Sequence, residues 1–448
     1  MGRVVLDERN TSAIGYQYTS GRSVPLSPYW PHAFMALYGA GWAFAFDVGV
    51  RLYGAEIIAI VGLMIVPWKF VFRKHPMAGR IFVIYSVWVF AIVLADLVNG
   101  TRLFDTLRNI ATPVLGGLSL LFVIAVASQN PKSLLFFLAA TAIAKGVFGE
   151  PAYGDKFSDI ELSAASLTQY ANYFKVRLDP FLTPAILLLS CWIARKNLVA
   201  SSGLLAIASF GYLVMDARSS GLVFFLSALA LVAIHFRFRP KLGQSLVGGV
   251  AALALSYVAY IGYVDYTLAN NPEGQNGKQL ARLENPYDPI ALVQQGRSEW
   301  LVMTTAIAER PFFGWGSWAI DREHRFAYLR TYRSGSFDYF SIEAATTWGY
   351  IPFHSLVGSS WVWSGLLGFF AMAWLLKLLG TMALRLPFIH ERYLLPAAVF
   401  FTFLIAWHYF FSPPQVARLN FPVSLAALVI LTSVRTSATR AVFKSGSS

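Results

Sequence analysis

The chain has 448 residues, of which 56% are hydrophobic and 13% are charged, and its mean hydropathy is +0.54. These values lie far outside the range of soluble globular domains and indicate a polytopic membrane protein. The formal net charge of +13 does not indicate nucleic-acid binding, because Lys and Arg are scattered through short loops and are not gathered on one soluble face.

Apolar stretches recur along the chain at about the 18 to 20 residues that a helix needs to cross the hydrocarbon core. The first thirty residues lack the pattern of a cleavable signal peptide, so the first apolar stretch is expected to direct insertion. We predict an all-α polytopic membrane protein with about twelve transmembrane helices, some of them short. They are placed near residues 32–48, 54–72, 80–97, 109–128, 132–148, 180–194, 198–215, 219–235, 244–263, 356–378, 393–411 and 416–434.

These stretches divide the chain into three parts. Residues 1–263 are expected to form transmembrane helices one to nine, and residues 264–355 a large periplasmic loop that contains short helices. Residues 356–448 are expected to form helices ten to twelve and a cytoplasmic tail.

Basic residues in alternate connections predict the orientation, because Lys and Arg near the ends of spans are retained in the cytoplasm. The connections that carry them share one parity, and they are residues 73–80, 129–132, 195–197, 235–241, 383–392 and the tail after 434. Both termini are therefore predicted to be cytoplasmic. In a bacterial inner membrane the large loop would then face the periplasm.

The connections on the opposite, outer side also carry many basic residues, which the retention of Lys and Arg in the cytoplasm does not explain. They are Arg102, Arg108, Lys175, Arg177, Arg218, Arg297, Arg310, Arg322, Arg325, Arg330 and Arg333. A guanidinium group presents a planar, permanently charged fork that suits phosphate, so this set could hold an anionic ligand at the outer surface. The alternative is that these side chains anchor helix ends at the membrane interface.

The large loop contains one clear helical pattern. The residues that recur at helical spacing are Trp300, Leu301, Thr304, Ile307 and Ala308. Ser298 is placed to cap the start, and Pro311 and Gly314 end the pattern. We predict an amphipathic helix on the outer surface, followed by a tight aromatic turn. Its rings could stack on sugars or belong to an interfacial aromatic belt, and they are Phe312, Phe313, Trp315 and Trp318.

A histidine stands where the loop meets the next apolar segment. His354 follows Pro352 and Phe353. A histidine at the end of a span is commonly a hydrogen-bonded interfacial residue. Its ordinary pKa near 6.5 also allows it to act as a general base toward a hydroxyl group.

Three short motifs are together similar to the C-terminal signature of the O-antigen polymerase and O-antigen ligase superfamily. They are GRSEW at residues 296–300, RPFFGWG at 310–316, and His354 ahead of the WVWSGLLG segment at 361–368. The expected number of spans, the cytoplasmic termini and the outer loop also match that family. The chain departs from the family pattern at Ser355, where the family commonly has Asn, and before Arg218, which follows Asp216 and Ala217.

The resemblance implies a glycosyltransferase that moves a glycan from an undecaprenyl diphosphate carrier to an acceptor hydroxyl on the periplasmic face. Transfer would invert the configuration at the anomeric carbon and would need neither a metal nor a cofactor. His354 would act as the base, with Arg218 and Arg297 as the other catalytic residues. Further substrate-binding residues are expected to be Arg177, Arg102, Arg108, Trp300 and Trp315.

Several alternatives stay open. A polymerase would use a second lipid-linked glycan as acceptor, whereas a ligase would use lipid A-core, and a regulator of chain length is a further candidate partner besides the membrane lipids. A transporter or lipid flippase would place charge at mid-membrane depth, for which the candidates are Asp47, Asp96 and Lys145. A non-catalytic envelope scaffold would tolerate loss of Arg218 and His354.

Overall fold

The described chain is mostly helical. The computed structural model of the protein describes residues 27–47, 51–149, 174–215, 217–236, 254, 257–258, 260–270, 272, 275–296, 298–321, 323–334, 349–351, 355–412 and 414–433. His354 and Arg297, two of the predicted catalytic residues, and most of the predicted span 244–263 lie outside these residues.

The helices follow the apolar stretches of the sequence. Before the large loop they are α1 (Trp30–Gly41), α2 (Gly54–Ile65), α3 (Val71–Lys74), α4 (Pro76–Asn99), α5 (Leu103–Ala127), α6 (Ser133–Phe148), α7 (Asp179–Ala194), α8 (Leu198–Val214) and α9 (Arg218–His235). A π-helical turn, Phe174–Leu178, leads into α7. The loop contains α10 (Gln275–Ala281), α11 (Pro289–Gly296), α12 (Ser298–Glu309) and α13 (Arg325–Ser334). After it come α14 (Leu356–Ala383), the 3-10 turns Leu386–Phe388 and Arg392–Leu394, α15 (Leu395–Phe411) and α16 (Pro414–Ser433).

The prediction of a purely α-helical chain is corrected by one small hairpin. Strand β1 (Ala45–Asp47) lies at the end of the first predicted span, and it pairs antiparallel with β2 (Arg51–Tyr53), which lies between the first and second predicted spans. Helix α1 has 12 residues and ends at Gly41. Gly41 packs closely against the start of α2, where a Cβ at residue 41 would lie 2.6 Å from the backbone nitrogen of Ala55.

Within the described residues, five helical segments are long and apolar enough to cross a membrane. They are Pro76–Asn99, Leu103–Ala127, Arg218–His235, Leu356–Phe388 and Arg392–Phe411. Other apolar helices have 10–17 residues, for example α2 and α6. A 12-residue helix such as α2 spans about 18 Å, less than the roughly 30 Å of a hydrocarbon core. The chain is thus a membrane protein by composition and helix length, and the predicted count of about twelve spans is not confirmed.

Helix α5 lies at the centre of the bundle. Its residues from Leu120 to Ala127 are all buried, and it packs against α2, α4 and α16. Helices α7, α8, α9 and α15 form a neighbouring layer, joined by the ring contact of Phe224 with Phe400 at 4.8 Å. Large-loop residues pack at one end of the bundle, called here the loop end, which includes the C-terminus of α4 and the N-terminus of α5.

The opposite end of the bundle is joined by a buried histidine between α3 and α4. The two ring nitrogens of His75 each lie 2.7 Å from a hydroxyl oxygen, one on Ser128 after α5 and one on Ser433 at the end of α16. The side chain is 2% exposed. Burial, assisted by the neighbouring Lys74, lowers the pKa of His75 from 6.5 to about 4.

Protonation of His75 is therefore expected to destabilise the protein in mild acid. The folded state disfavours the charged ring, so the stabilisation is complete above pH 6.5 and is lost as the pH falls toward 4. The loss attributable to this group would be about 3 kcal/mol at pH 4. Thermal unfolding in detergent should show a smaller fall over this pH range for His75→Gln than for the wild type. Equal falls in both proteins would contradict this prediction.

Candidate functional site

The large loop has a core of its own that is continuous with α14. A helix is confirmed in the predicted stretch as α12, and Ser298, predicted as its cap, is the first helical residue. The predicted apolar stripe is wrong in part, because Thr304 and Ala308 are exposed and the buried face carries Val302, Met303 and Ala306. One face of α12 is buried against α13, the 319–351 pairing and the start of α14. The buried members of this cluster are Val302, Met303, Ala306, Ala319, Phe326, Ile351, Val362 and Trp363. The loop is thus a folded unit packed on the bundle.

The aromatic turn that follows α12 forms backbone hydrogen bonds with α14 at a kink in that helix. Gly365 has φ 64° and ψ −159°, so the helix is kinked there and frees backbone groups on both sides of the kink. Trp315 and Gly316 donate their backbone N–H groups to the carbonyl oxygens of residues 362 and 363, at 2.7 and 3.1 Å. In return Leu366 donates to the carbonyl of Phe312 at 3.0 Å. The turn therefore satisfies the polar groups that the kink exposes.

The same turn is held from the other side by a buried carboxylate. Asp96, near the C-terminus of α4, is 3% exposed. Its two oxygens accept hydrogen bonds from the backbone N–H of Ser317 at 2.6 Å and from its hydroxyl at 2.7 Å. Asn109 of α5 donates to the same hydroxyl at 2.8 Å. Asp96, an intramembrane charge of the transporter alternative, is thus a contact between the bundle and the loop.

Two arginines stack on the two tryptophans of this turn. The guanidinium carbon of Arg108 lies 3.7 Å from the ring centre of Trp318, and that of Arg310 lies 4.2 Å from the ring centre of Trp315. Arg310 also donates to Oδ1 of Asn99 at 2.8 Å. Neither arginine forms an ion pair with another residue of the described chain. Cations held flat against rings and lacking a carboxylate partner suit an anionic ligand.

The predicted tryptophans take different roles. Trp315 donates its indole N–H to the carbonyl of Ala306 at 2.8 Å and meets the ring of Phe326 edge to face at 5.5 Å. Since Arg310 covers one face of that ring, Trp315 is a structural part of the loop. Trp300 is half-buried, with its ring centre 6.3 Å from that of Phe411 in α15, and its buried indole nitrogen has no hydrogen-bond partner among the described residues.

Among the other predicted arginines, Arg102 and Arg177 do not contact this cluster within the described chain. Arg102 is exposed and stands immediately before α5. Arg177 is exposed and lies against Gly149, where an added Cβ would be 2.6 Å from its guanidinium nitrogen. Arg218 is the first residue of α9 and interacts electrostatically with Tyr260, whose hydroxyl donates to the carbonyl of Pro286 in the loop.

Ser355, which directly follows the predicted base His354, caps the N-terminus of α14 and joins it to α15. Its hydroxyl oxygen accepts the backbone N–H of Gly358 at 3.2 Å and caps the helix, and it also lies 3.3 Å from the carbonyl oxygen of Tyr409 in α15. The neighbouring His408 contacts Ser412 and Asn420 through its two ring nitrogens, at 2.8 and 2.9 Å. Polar groups therefore line the loop end where α14, α15 and α16 meet.

Sequence reasoning missed a buried ion pair at the same end. Arg418 in α16 donates to both carboxylate oxygens of Glu56 in α2 and to the backbone carbonyl of Arg51 at 2.8 Å. The two side chains are 9% and 4% exposed. The only sequence signal was an acid and an arginine near the ends of two apolar stretches, and nothing in it paired them.

No protein-family model matches the chain, and no curated protein matches it. The resemblance to polymerases and ligases of O-antigen therefore depends on the motif residues alone. Chemically, the described cluster offers guanidinium groups, aromatic faces and a docked loop at one end of a membrane-embedded bundle. Such an arrangement can hold an anion at the membrane boundary.

Proposed function

We propose that the protein is a glycan polymerase of the bacterial inner membrane, acting in O-antigen or exopolysaccharide synthesis. It would transfer a glycan from an undecaprenyl diphosphate carrier to a sugar hydroxyl of the acceptor on the periplasmic side. The proposal rests on the three motifs and is supported by the way in which one of them, RPFFGWG, is built into the bundle. The segment from this motif to Trp318 joins α4, α5 and α14, and its two tryptophans lie against Arg310 and against Arg108 of α5.

The chemistry requires two kinds of group. The bond from the anomeric carbon to the diphosphate breaks, so negative charge grows on the leaving group, and fixed cations such as Arg108, Arg310 and Arg218 would stabilise it. The acceptor hydroxyl loses a proton as its oxygen attacks the anomeric carbon, and His354 would take that proton. A single displacement inverts the configuration at the anomeric carbon and needs no carboxylate nucleophile.

The docked loop is the structural observation that favours an enzyme over a transporter. A transporter of the rocking type would keep charge at mid-membrane depth for its cargo. Asp96, a candidate for such a charge, is instead bound through both oxygens to Ser317 of the loop. This use of the carboxylate favours a site at the loop end over a pathway through the bundle.

The test is glycan transfer in liposomes that contain purified protein and a defined undecaprenyl diphosphate oligosaccharide. We expect the wild type to lengthen the lipid-linked glycan. His354→Ala and Arg218→Ala should each reduce the rate by about 100-fold, the scale of losing a general base or a charged contact. Two matched controls should retain the wild-type rate: His390→Ala at the opposite end, and Arg325→Ala, whose side chain is paired with Glu309 at 2.6 Å.

Other outcomes of the liposome assay would identify one of the alternative functions. Transfer that starts only after lipid A-core is added would identify a ligase. Movement of the lipid across the bilayer without transfer would identify a flippase and overturn the enzyme proposal. Wild-type rates in the His354 and Arg218 variants would overturn their assigned roles.

A further inference from the structure

We propose that Asp96 is a positioning residue, which fixes the turn at residues 314–318 so that Arg108 and Arg310 can bind the phosphate groups of a lipid. This inference deepens the proposed function and rests on it for the identity of the lipid. Asp96 itself would not touch the ligand. It would act through Ser317 and the two tryptophans that flank it.

The first support is the way the carboxylate is used. Asp96 is buried, and both of its oxygens are occupied by the backbone N–H and the hydroxyl of Ser317. No cation pairs with it among the described residues. A buried carboxylate without a cation is costly unless it is well hydrogen-bonded. Two short bonds to one loop residue therefore make Asp96 a specific attachment point for the turn.

The second support is the unusual backbone of the turn. Gly314 and Gly316 have φ values of 66° and 81°, and Trp318 has φ 52°, which is uncommon for a residue with a side chain. Such a conformation persists only where surrounding contacts impose it. For Trp318 these contacts are the Ser317 bonds on one side and the ring of Trp363, 5.4 Å away between centres, on the other.

The third support is the contrast between paired and unpaired arginines. Arg51, Arg325 and Arg418 each form an ion pair with a carboxylate. Arg108 and Arg310 form none within the described chain, although both are held in place by tryptophans only three positions apart. A guanidinium that lies over a ring can still donate N–H groups to an oxygen acceptor, as Arg310 does to Oδ1 of Asn99. The turn thus holds two cations whose charge the described protein does not neutralise.

The chemical class that fits is a phosphate group at the membrane boundary. It could come from the diphosphate of a polyprenyl carrier or from the headgroup of a bulk anionic phospholipid. The two sources can be distinguished by using both lipids as probes.

The experiment uses the full-length protein in phosphatidylcholine nanodiscs. Native mass spectrometry measures the binding of undecaprenyl diphosphate and, separately, of phosphatidylglycerol. Hydrogen exchange measures the opening of residues 312–319. The variants are Asp96→Ala, the milder Ser317→Ala, Arg108→Ala and the double variant of Asp96 and Arg108, with Asp47→Ala as a control because Asp47 lies in an exposed ion pair.

We expect Asp96→Ala to speed exchange in the turn and to weaken binding of undecaprenyl diphosphate by about tenfold, the scale of one hydrogen bond to a charged group. Ser317→Ala should have a smaller effect in the same direction, and Asp47→Ala none. If Asp96 acts through the stacked arginine, adding Arg108→Ala to Asp96→Ala should cost much less than it costs in the wild type. A purely structural role would leave the two effects additive.

Unchanged exchange of the turn in both the Asp96 and Ser317 variants would overturn the inference, as would additive effects of Asp96 and Arg108. Ser317→Ala keeps the test valid if Asp96→Ala does not fold. Equal binding of phosphatidylglycerol would assign the site to bulk lipid and overturn the carrier as its ligand. A wild type that binds the carrier but transfers no glycan would refute the proposed function and leave the role of Asp96 standing.

Discussion

Replacement of Arg418 by Ala is expected to destabilise the protein by about 3 to 5 kcal/mol, because it leaves the carboxylate of Glu56 buried without its cation. Glu56 would keep its hydrogen bond from the backbone N–H of Tyr53, at 2.9 Å, but would lose its cation. The contact between α2 and α16 would weaken at the loop end. Thermal unfolding followed by tryptophan fluorescence in detergent measures the change, since the chain has 13 tryptophans.

Two further variants isolate the cause. Asp47→Asn removes a charge from the exposed pair with Arg51, whose side chains are 65% and 38% exposed, and should cost at most about 1 kcal/mol. The double variant Glu56→Leu with Arg418→Met replaces both charges by apolar groups. It should recover most of the stability, because the cost arises from an unpaired buried charge. A double variant as unstable as Arg418→Ala would show that geometry and not charge is decisive.

Much of the helical framework could be predicted from the sequence because its signals are local. Helix α4 begins at Pro76, a favoured first residue, and ends before Gly100, whose φ of 61° suits a helix C-terminus. The window predicted there, 80–97, lies within the observed helix. The first window failed in its second half, because α1 ends at Gly41, and hydropathy does not reveal the close packing of Gly41 against the start of α2.

The candidate site was only partly predictable for a related reason. The outward arginines and the aromatic turn could be recognised as residue types, and Arg108 was assigned to substrate binding. The partners of these residues could not be predicted. Ser317 binds Asp96 across 221 positions and Arg418 binds Glu56 across 362, and no helical period connects such positions. Arg310 was recognised as outward-facing but not as a partner of Trp315.

Replacement of Gly365 by Ala is expected to separate the aromatic turn from α14. The φ and ψ angles of Gly365, 64° and −159°, lie in a region that only glycine readily adopts, and a side chain there would come within 2.7 Å of the Cα atom of Phe313. Strain and overpacking together should cost at least about 3 kcal/mol. If the proposed function holds, glycan transfer should fall in parallel, because the turn carries Arg310 and the two tryptophans against which Arg108 and Arg310 lie.

Gly380 in the same helix provides the matched control. It has an ordinary helical conformation, and an added Cβ would meet nothing within 4 Å. Gly380→Ala should therefore leave stability unchanged or raise it by up to about 1 kcal/mol, since alanine favours the helix. Hydrogen exchange of residues 312–319 should increase in the Gly365 variant alone. If the two variants behave alike, the kink is not what holds the loop, and the buried carboxylate of Asp96 must bind the turn without it.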